Sequence, residues 1–338
     1  MKKQNVAVIG VGAVGAAILK ILKQRKFPIN SLRVFARSAR EIVVAGQKYQ
    51  VEAIEGADFS GIDLALFAGT EGEKGASILY ADKFIAKGAV VIDNGNDFRL
   101  KDDIPLIVPE VNKDKIATHK GLIANPNCTT IQAVTALGGI FKRFGLSQII
   151  LTSFQAVSGA GKGPAIGLWE ETKNLVEENK DRDFDHIDKK IKGEPKGFNH
   201  QIAFNVIPQI GNFDQSGYTS EEIKVVNEAR KIFGDNSIKI SATCVRVPVF
   251  TSHSEAIYFK TQNKATIKEL EAVLKNSSGV KYLSAGFCLP LDAEGRDEVF
   301  VGRLRPDPNQ ENSFWLWCVA DNLHKGAALN AIQIAENL

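Results

Sequence analysis

The rhythm of apolar and polar residues divides the chain into two stretches. In the first, short apolar runs at Val6 to Ile9, Leu32 to Phe35, Leu64 to Ala68 and Ala89 to Ile92 read as buried strands. Amphipathic segments at Ala13 to Lys26 and roughly Lys74 to Lys87 read as helices between them. This alternation predicts a parallel sheet covered by helices. After about residue 145 the runs lengthen and fill with β-branched and aromatic residues, at Ser147 to Val157, Ser237 to Val249, Glu255 to Thr261, Glu298 to Leu304 and Asn312 to Ala320. They predict a mixed or antiparallel sheet. The charged stretch Glu177 to Glu194 reads as a helix end and surface loop. Leu323, Ala327, Leu329, Ile332 and Ile334 recur at broadly helical spacing, which predicts a terminal helix over Asn322 to Leu338 that packs back on the first stretch.

A length of 338 residues suits two domains, and 44% hydrophobic with 24% charged residues is an ordinary globular composition. The 42 Lys and Arg against 39 Asp and Glu give a net charge of +3, too small to point to nucleic acid or an acidic membrane surface as partner. No apolar run approaches the ~20 residues of a membrane span. Met1 to Asn5 leads directly into the first strand with no signal-peptide pattern, so a cytoplasmic location is expected. Cys128, Cys244, Cys288 and Cys318 are scattered without Cys-x-x-Cys or nearby His ligands, so neither a metal site nor a disulfide framework is expected.

Gly10-Val11-Gly12-Ala13-Val14-Gly15 follows the first strand and opens the first helix. Glycines there allow a tight turn and close approach of a pyrophosphate to backbone N–H groups at the helix N-terminus. The fold expectation is therefore α/β: an N-terminal Rossmann-type dinucleotide-binding domain plus an α+β catalytic domain. At the end of the second strand an NAD enzyme would place Asp or Glu on the ribose hydroxyls, whereas this chain reads Ala36-Arg37-Ser38-Ala39-Arg40. Arg37 and Ser38 suit a 2′-phosphate, which predicts NADP.

Asn125-Pro126-Asn127-Cys128-Thr129-Thr130 separates an apolar strand, Leu122 to Ala124, from a predicted helix over Thr129 to Arg143. Pro126 stops the strand and Asn127 can cap the helix, so Cys128 falls at the helix N-terminus. The helix dipole there is expected to lower the thiol pKa, and to stabilise an oxyanion formed beside it. Cys128 is the one cysteine placed as a nucleophile; packing is the default for the other three.

With these motifs in order, together with Asn94 to Arg99, Ser153 to Pro164, Arg246 to His253 and Asp321 to Ala328, the chain resembles the aspartate-β-semialdehyde dehydrogenases over nearly its whole length. The resemblance implies that Cys128 attacks an aldehyde, hydride passes to NADP, and inorganic phosphate cleaves the thioester to an acyl phosphate. It implies Gln155 as the residue orienting the intermediate and His253 as acid and base. Arg246 matches the arginine that grips the substrate carboxylate, and Glu221 the partner of its ammonium, with Glu222 the alternative if the alignment slips by one. Lys224, Arg99 and Asn127 match the phosphate site. Asn322 matches a position near the nicotinamide, and Ser158 and Gly159 match further cofactor-binding positions, beside Gly10, Gly12, Ala13, Val14, Gly15, Arg37 and Ser38.

The same resemblance implies domains of 1–128 plus 321–338 and of 129–320, a homodimer or homotetramer, and a place in lysine, threonine and methionine biosynthesis. The chain departs from the family at three loops. The glycine turn is one residue shorter than Gly-x-x-Gly-x-x-Gly, Asp93 to Arg99 replaces Asn-Ser-Ser-x-Phe-Arg, and Ala68 to Gly72 replaces a Ser-Ala-Gly-Gly-like loop. Competing expectations are an N-acetyl-glutamyl-phosphate reductase, and a non-catalytic NADP-binding regulator.

Overall fold

The first apolar runs pair in parallel as the alternation predicts, with helices after the first and third returning the chain over the sheet. The computed structural model describes residues 2–69, 72–181 and 191–338. Within it, β1 (Gln4–Ile9), α1 (Ala13–Gln24), β2 (Ile29–Ala36), β3 (Arg40–Val44), β4 (Gln47–Ala53), β5 (Leu64–Phe67), α2 (Ala76–Ile85), β6 (Val90–Asp93), α3 (Pro109–Asn112) and β7 (Leu122–Ala124) follow one another. They form a seven-stranded sheet in the order β3-β4-β2-β1-β5-β6-β7. It is parallel except for β3, which is antiparallel to β4 at one edge. Residues 40–53, given no element by their apolar pattern, form this edge hairpin because Ala45 and Gly46 turn with positive φ. Most side chains of β3 and β4 stay exposed, so a long apolar run is not needed there.

The second layer begins with α4 (Cys128–Phe144), β8 (Leu146–Gln155), α5 (Lys162–Glu178), α6 (Ser220–Phe233), β9 (Lys239–Arg246) and β10 (His253–Thr261). It continues with α7 (Ile267–Asn276), β11 (Val280–Tyr282), α8 (Pro290–Ala293), β12 (Val299–Pro306) and β13 (Ser313–Ala320), and α9 (Leu329–Glu336) ends the chain. The six strands align as β11-β12-β13-β10-β8-β9. The sheet is mixed: β8 with β9 and β11 with β12 are parallel, and the other pairs antiparallel. Register decides what this sheet can do, since Gln155 lies opposite Arg246, and Ser254, next to His253, opposite Phe154. Three of the predicted site residues thus meet at one end of the sheet. The predicted loop over 177–194 lies partly outside the described residues; Glu177 and Glu178 end α5.

Helix α4 lies between the layers. Its Ile131, Val134, Leu137 and Ile140 join Leu151, Ile257, Phe259 and Leu316 in the larger apolar core. The terminal segment does return to the first sheet: Leu329, Ile332 and Ile334 are buried with Val6, Val8, Ile18, Leu64 and Ile92. It is not helical in the α sense throughout, because His324–Ala328 forms a π-type turn before α9.

Two glycines of the first turn are required by space. A β-carbon on Gly15 would fall 2.0 Å from the Gly10 carbonyl oxygen, and one on Gly10, at φ +97°, would meet Ala68 O at 2.5 Å. A β-carbon on Gly12 meets nothing. We therefore expect Gly15→Ala to lower unfolding stability by roughly 1–3 kcal/mol, and Gly12→Ala to change it by less than about 1 kcal/mol. Urea denaturation of the two variants checks the contrast.

Candidate active site

Two cavities open at the carboxyl ends of the first sheet's strands, where ligands bind in open α/β sheets. The larger, of about 940 Å³, is lined by Gly10, Gly12, Arg37, Ser38 and Gly69 among others. Gly12 leaves room where a backbone can approach a pyrophosphate, and Arg37 makes no ion pair with another described residue. Arg40 donates to the Ser38 carbonyl and hydroxyl, both at 3.1 Å, which fixes a second cation beside Arg37. Arg40, Lys74 and Glu55 also line this cavity, and the motif reading had not given them a site role. Ala13 and Gly15 do not line it: Ala13 starts α1, and Gly15 packs against the turn.

The smaller cavity, about 270 Å³, gathers Cys128, Gln155, Gly159, Glu221, Lys224, Arg246, Asn322, Arg99 and Asn127. Val14 and Gly159, matched to the cofactor, face this cavity rather than the larger one. Ser158 hydrogen-bonds Asn322 at its rim, and the Asn322 side chain accepts from the Ser252 amide at 2.9 Å. Asn322 is therefore more than a helix cap: it joins the end of β13 to the turn before β10.

Cys128 is the first residue of α4. Asn127 caps the helix, its Oδ1 accepting from the amides of Thr129 at 2.9 Å and Thr130 at 3.4 Å. The sulfur is 3.3 Å from His253 Nε2. The Ala156 amide donates to His253 Nδ1 at 3.1 Å, which leaves that nitrogen an acceptor and puts the proton of the neutral ring on Nε2, facing the sulfur. Burial, and then the nearby Arg246 guanidinium, hold the imidazole pKa well below its ordinary value. The ring is therefore set to donate a hydrogen bond to sulfur or to an oxyanion, and in this tautomer it has no lone pair with which to take the thiol proton.

The thiol itself departs from the expectation based on the helix dipole. Burial and the Glu221 carboxylate push its pKa up to about 12, against the pull of Arg246, Arg99 and the Thr129 amide. Desolvating a thiolate costs more than one helix turn returns, so the free site stores a protonated cysteine.

Glu221 is the acidic residue that enters the cavity. Its Oε1 accepts from Asn127 Nδ2 at 2.9 Å and from Gln155 Nε2 at 3.2 Å, and Lys224 Nζ lies 3.6 Å from its Oε2. Glu222 is used otherwise, closing the capping box with Thr219 and accepting from the Cys244 amide at 2.9 Å. Gln155 also donates to Thr129 Oγ1 at 2.8 Å, so its carboxamide is fixed from α4. Arg246 is 5% exposed, gives one Nη1 hydrogen bond to Ala156 O at 2.7 Å, and leaves Nε without a partner. No carboxylate of the described residues lies within ion-pair distance of it. A buried guanidinium in that condition calls for an anion.

Arg99 reaches the cavity but is already engaged: it donates to Asn125 O at 2.9 Å, Asn94 O at 2.7 Å and Glu228 Oε1 at 3.1 Å. Glu228, fully buried, also accepts from the Asn127 amide at 2.7 Å. It was missed in the sequence, although it lies seven residues beyond Glu221 on the same face of α6.

The semialdehyde dehydrogenase NAD-binding domain matches residues 5–119, and the semialdehyde dehydrogenase dimerisation domain matches residues 137–325. The aspartate-semialdehyde dehydrogenase of Aquifex aeolicus is 44% identical over 99% of this chain and 97% of its own length. The chain belongs to the aspartate-semialdehyde dehydrogenase family. That of Bacillus subtilis is 41% identical over the same shares. The solved structure of aspartate semialdehyde dehydrogenase II from Vibrio cholerae, complexed with ASA, superposes with a TM-score of 0.91 at 40% identity, covering 100% of this chain and 98% of that one. A family of oxidoreductases with a nucleotide-binding and a dimerisation domain accounts for the two layers and for the two adjoining cavities.

The raised thiol pKa makes a testable statement about this family member. Without ligands, alkylation of Cys128 by iodoacetamide should rise about tenfold per pH unit across the neutral and mildly alkaline range, with no plateau near the ordinary thiol pKa of about 8.5. Glu221→Gln removes a charge that raises the pKa, so it should speed alkylation at a fixed pH of about 8. Mass-spectrometric rates at Cys128 check both.

Proposed function

We propose that the chain catalyses the reversible, NADP-dependent phosphorylating oxidation of L-aspartate 4-semialdehyde to L-aspartyl 4-phosphate through a thioester on Cys128. The observation that carries this reading is the convergence of the Cys128–His253 pair, 3.3 Å apart, with a buried Arg246 that has no carboxylate partner. Arg246 would take the α-carboxylate of the substrate and Glu221 its ammonium, which favours a free amino group over an acylated one. Lys224, Asn127 and Arg99 would hold phosphate beside the acyl carbon, so that its attack becomes effectively intramolecular.

The Cys128 thiol gives up its proton to solvent, which is the one proton released overall, as sulfur forms the carbon–sulfur bond and the carbonyl electron pair moves to oxygen. His253 Nε2–H is the donor available to that oxyanion, and Gln155, whose two amide hydrogens already meet Thr129 and Glu221, holds the groups around it in place. Bound NADP supplies the hydride acceptor. As the hydride leaves, the oxyanion regains its double bond, so no proton need be delivered to it. A phosphate oxygen then bonds to the acyl carbon, the carbon–sulfur bond breaks, and the phosphate proton passes to the sulfur. Aldehyde, oxidised cofactor and hydrogen phosphate thus give acyl phosphate, reduced cofactor and one proton.

Arg37, Ser38 and Arg40 fit a 2′-phosphate, which supports NADP, and the open space at Gly12 suits the pyrophosphate. We assign 1–128 plus 321–338 to the cofactor domain and 129–320 to the catalytic domain. A homodimer or homotetramer in the cytoplasm, serving lysine, threonine and methionine biosynthesis, completes the proposal. The half-exposed Phe250 and the exposed Trp169, which pack on each other with ring centroids 6.5 Å apart, favour association through the dimerisation domain.

Absorbance of the reduced cofactor, followed with aspartate semialdehyde and NADP, should rise only when phosphate is added, and no phosphate dependence would sink the proposal. Cys128→Ala should abolish the signal while nucleotide binding persists. Arg37→Ala should raise the KM for NADP roughly tenfold while changing that for NAD little, and equal effects on both would remove the 2′-phosphate assignment.

A further inference from the structure

Behind the reaction cavity lies a polar cluster that the chemistry above does not use. Lys325 is wholly buried, and its ammonium donates to the Glu110 carboxylate at 2.8 and 2.9 Å, to Asn330 Oδ1 at 3.1 Å and to Gln333 Oε1 at 2.7 Å. Gln333 Nε2 donates to the same carboxylate at 3.0 Å. Replacing such a pair by apolar groups is often neutral or favourable for stability. Cohesion alone therefore explains this arrangement poorly.

Two connections lead from the cluster to the nucleophile. Lys325 belongs to the π-type turn His324–Ala328, in which the amides of Gly326 and Ala328 donate to carbonyls five residues back, those of Asp321 and Leu323. π-Type turns are concentrated at functional sites. The residue after Lys325 bears directly on the reacting cysteine, since a β-carbon on Gly326 would fall 2.9 Å from Cys128 Cβ. The second connection runs through Asn330, which accepts from Lys325 and donates to Asn125 Oδ1 at 2.7 Å. Asn125 in turn donates to Ala327 O at 3.2 Å and to Asn94 Oδ1 at 2.9 Å. It begins the turn that ends in Cys128.

We infer that Lys325 and Glu110 are a positioning pair for the nucleophile: they lock the π turn so that Gly326 bears on Cys128, and they hold the Asn125 turn from below. The inference rests on the reading of Cys128 as nucleophile. The pair touches no substrate. Its loss would leave Arg246, Lys224 and Arg99 able to bind while the sulfur drifts from its attacking position.

Changing one partner alone strands a buried charge, so the test uses Lys325→Met/Glu110→Gln, checked for a cooperative thermal transition. The expected result is a kcat lowered roughly 10- to 100-fold, with the KM for aspartate semialdehyde and for phosphate within about twofold. Iodoacetamide should alkylate Cys128 roughly 3- to 10-fold faster than in the parent at fixed pH, because a loosened turn lets water reach the sulfur. An unchanged kcat in the folded variant, or KM values that rise in step with a falling kcat, overturns the inference. If the double variant does not fold, Glu110→Gln alone, which keeps an acceptor for Lys325, should show the same split in smaller measure, and its absence is equally decisive. A parent protein without phosphate-dependent turnover defeats the functional reading instead. The alkylation ratio then still decides whether the pair governs the sulfur.

Discussion

The Glu228 carboxylate is the constraint through which the parts of the site hold one another. One oxygen accepts the amide of Asn127, the cap residue of α4, and the other accepts from Arg99, on the loop after the sixth strand of the first sheet. Its own helix carries Glu221 and Lys224 on the same face. Three segments from both layers therefore meet on one buried anion. Losing one member of such a pair typically costs roughly 3–5 kcal/mol, so the relative placement of the three is held firmly. Burial raises the carboxyl pKa of Glu228, while the Arg99 guanidinium and the Asn127 amide oppose that rise.

This arrangement also explains why the cysteine rests as a thiol. The cavity contains the carboxylate of Glu221 as well as its cations, and desolvation by the surrounding protein disfavours a sulfur anion. Arg246 and Arg99 pull the thiol pKa down, but by less than burial and Glu221 push it up, and Lys224 lies against Glu221. A cysteine held in this balance stays a thiol until the surrounding charge changes.

What the sequence made legible was local. The glycine turn, Pro126, the Asn127 cap and the position of Cys128 all follow from neighbours within a few residues, and each stands where those neighbours put it. The edge hairpin was missed because its strands are polar and half exposed, and of α5 only the end at Glu177 was read, because its apolar residues form only a weak stripe. The thiol pKa was misjudged for a different reason: a helix start is visible in sequence, whereas Glu221 and the depth of burial around Cys128 arise only on folding. Lys325 and Glu110 belong to the same class, being separated by most of the chain. A lysine in the pattern Lys-Gly-Ala-Ala gives no sign that it will be sealed from solvent.

The return of Leu329, Ile332 and Ile334 to the core of the first sheet has a consequence in time. The strands that hold the glycine turn are made first, yet part of the apolar wall that closes over them is made last, after the whole second layer. During synthesis on the ribosome the nucleotide-binding half must wait with one side of its core open while the intervening residues emerge. Gly326 and Lys325 arrive with that same closing segment. Cys128 therefore gains its final packing in the step that seals the first sheet, and a chain still in progress carries a site that has not yet been assembled.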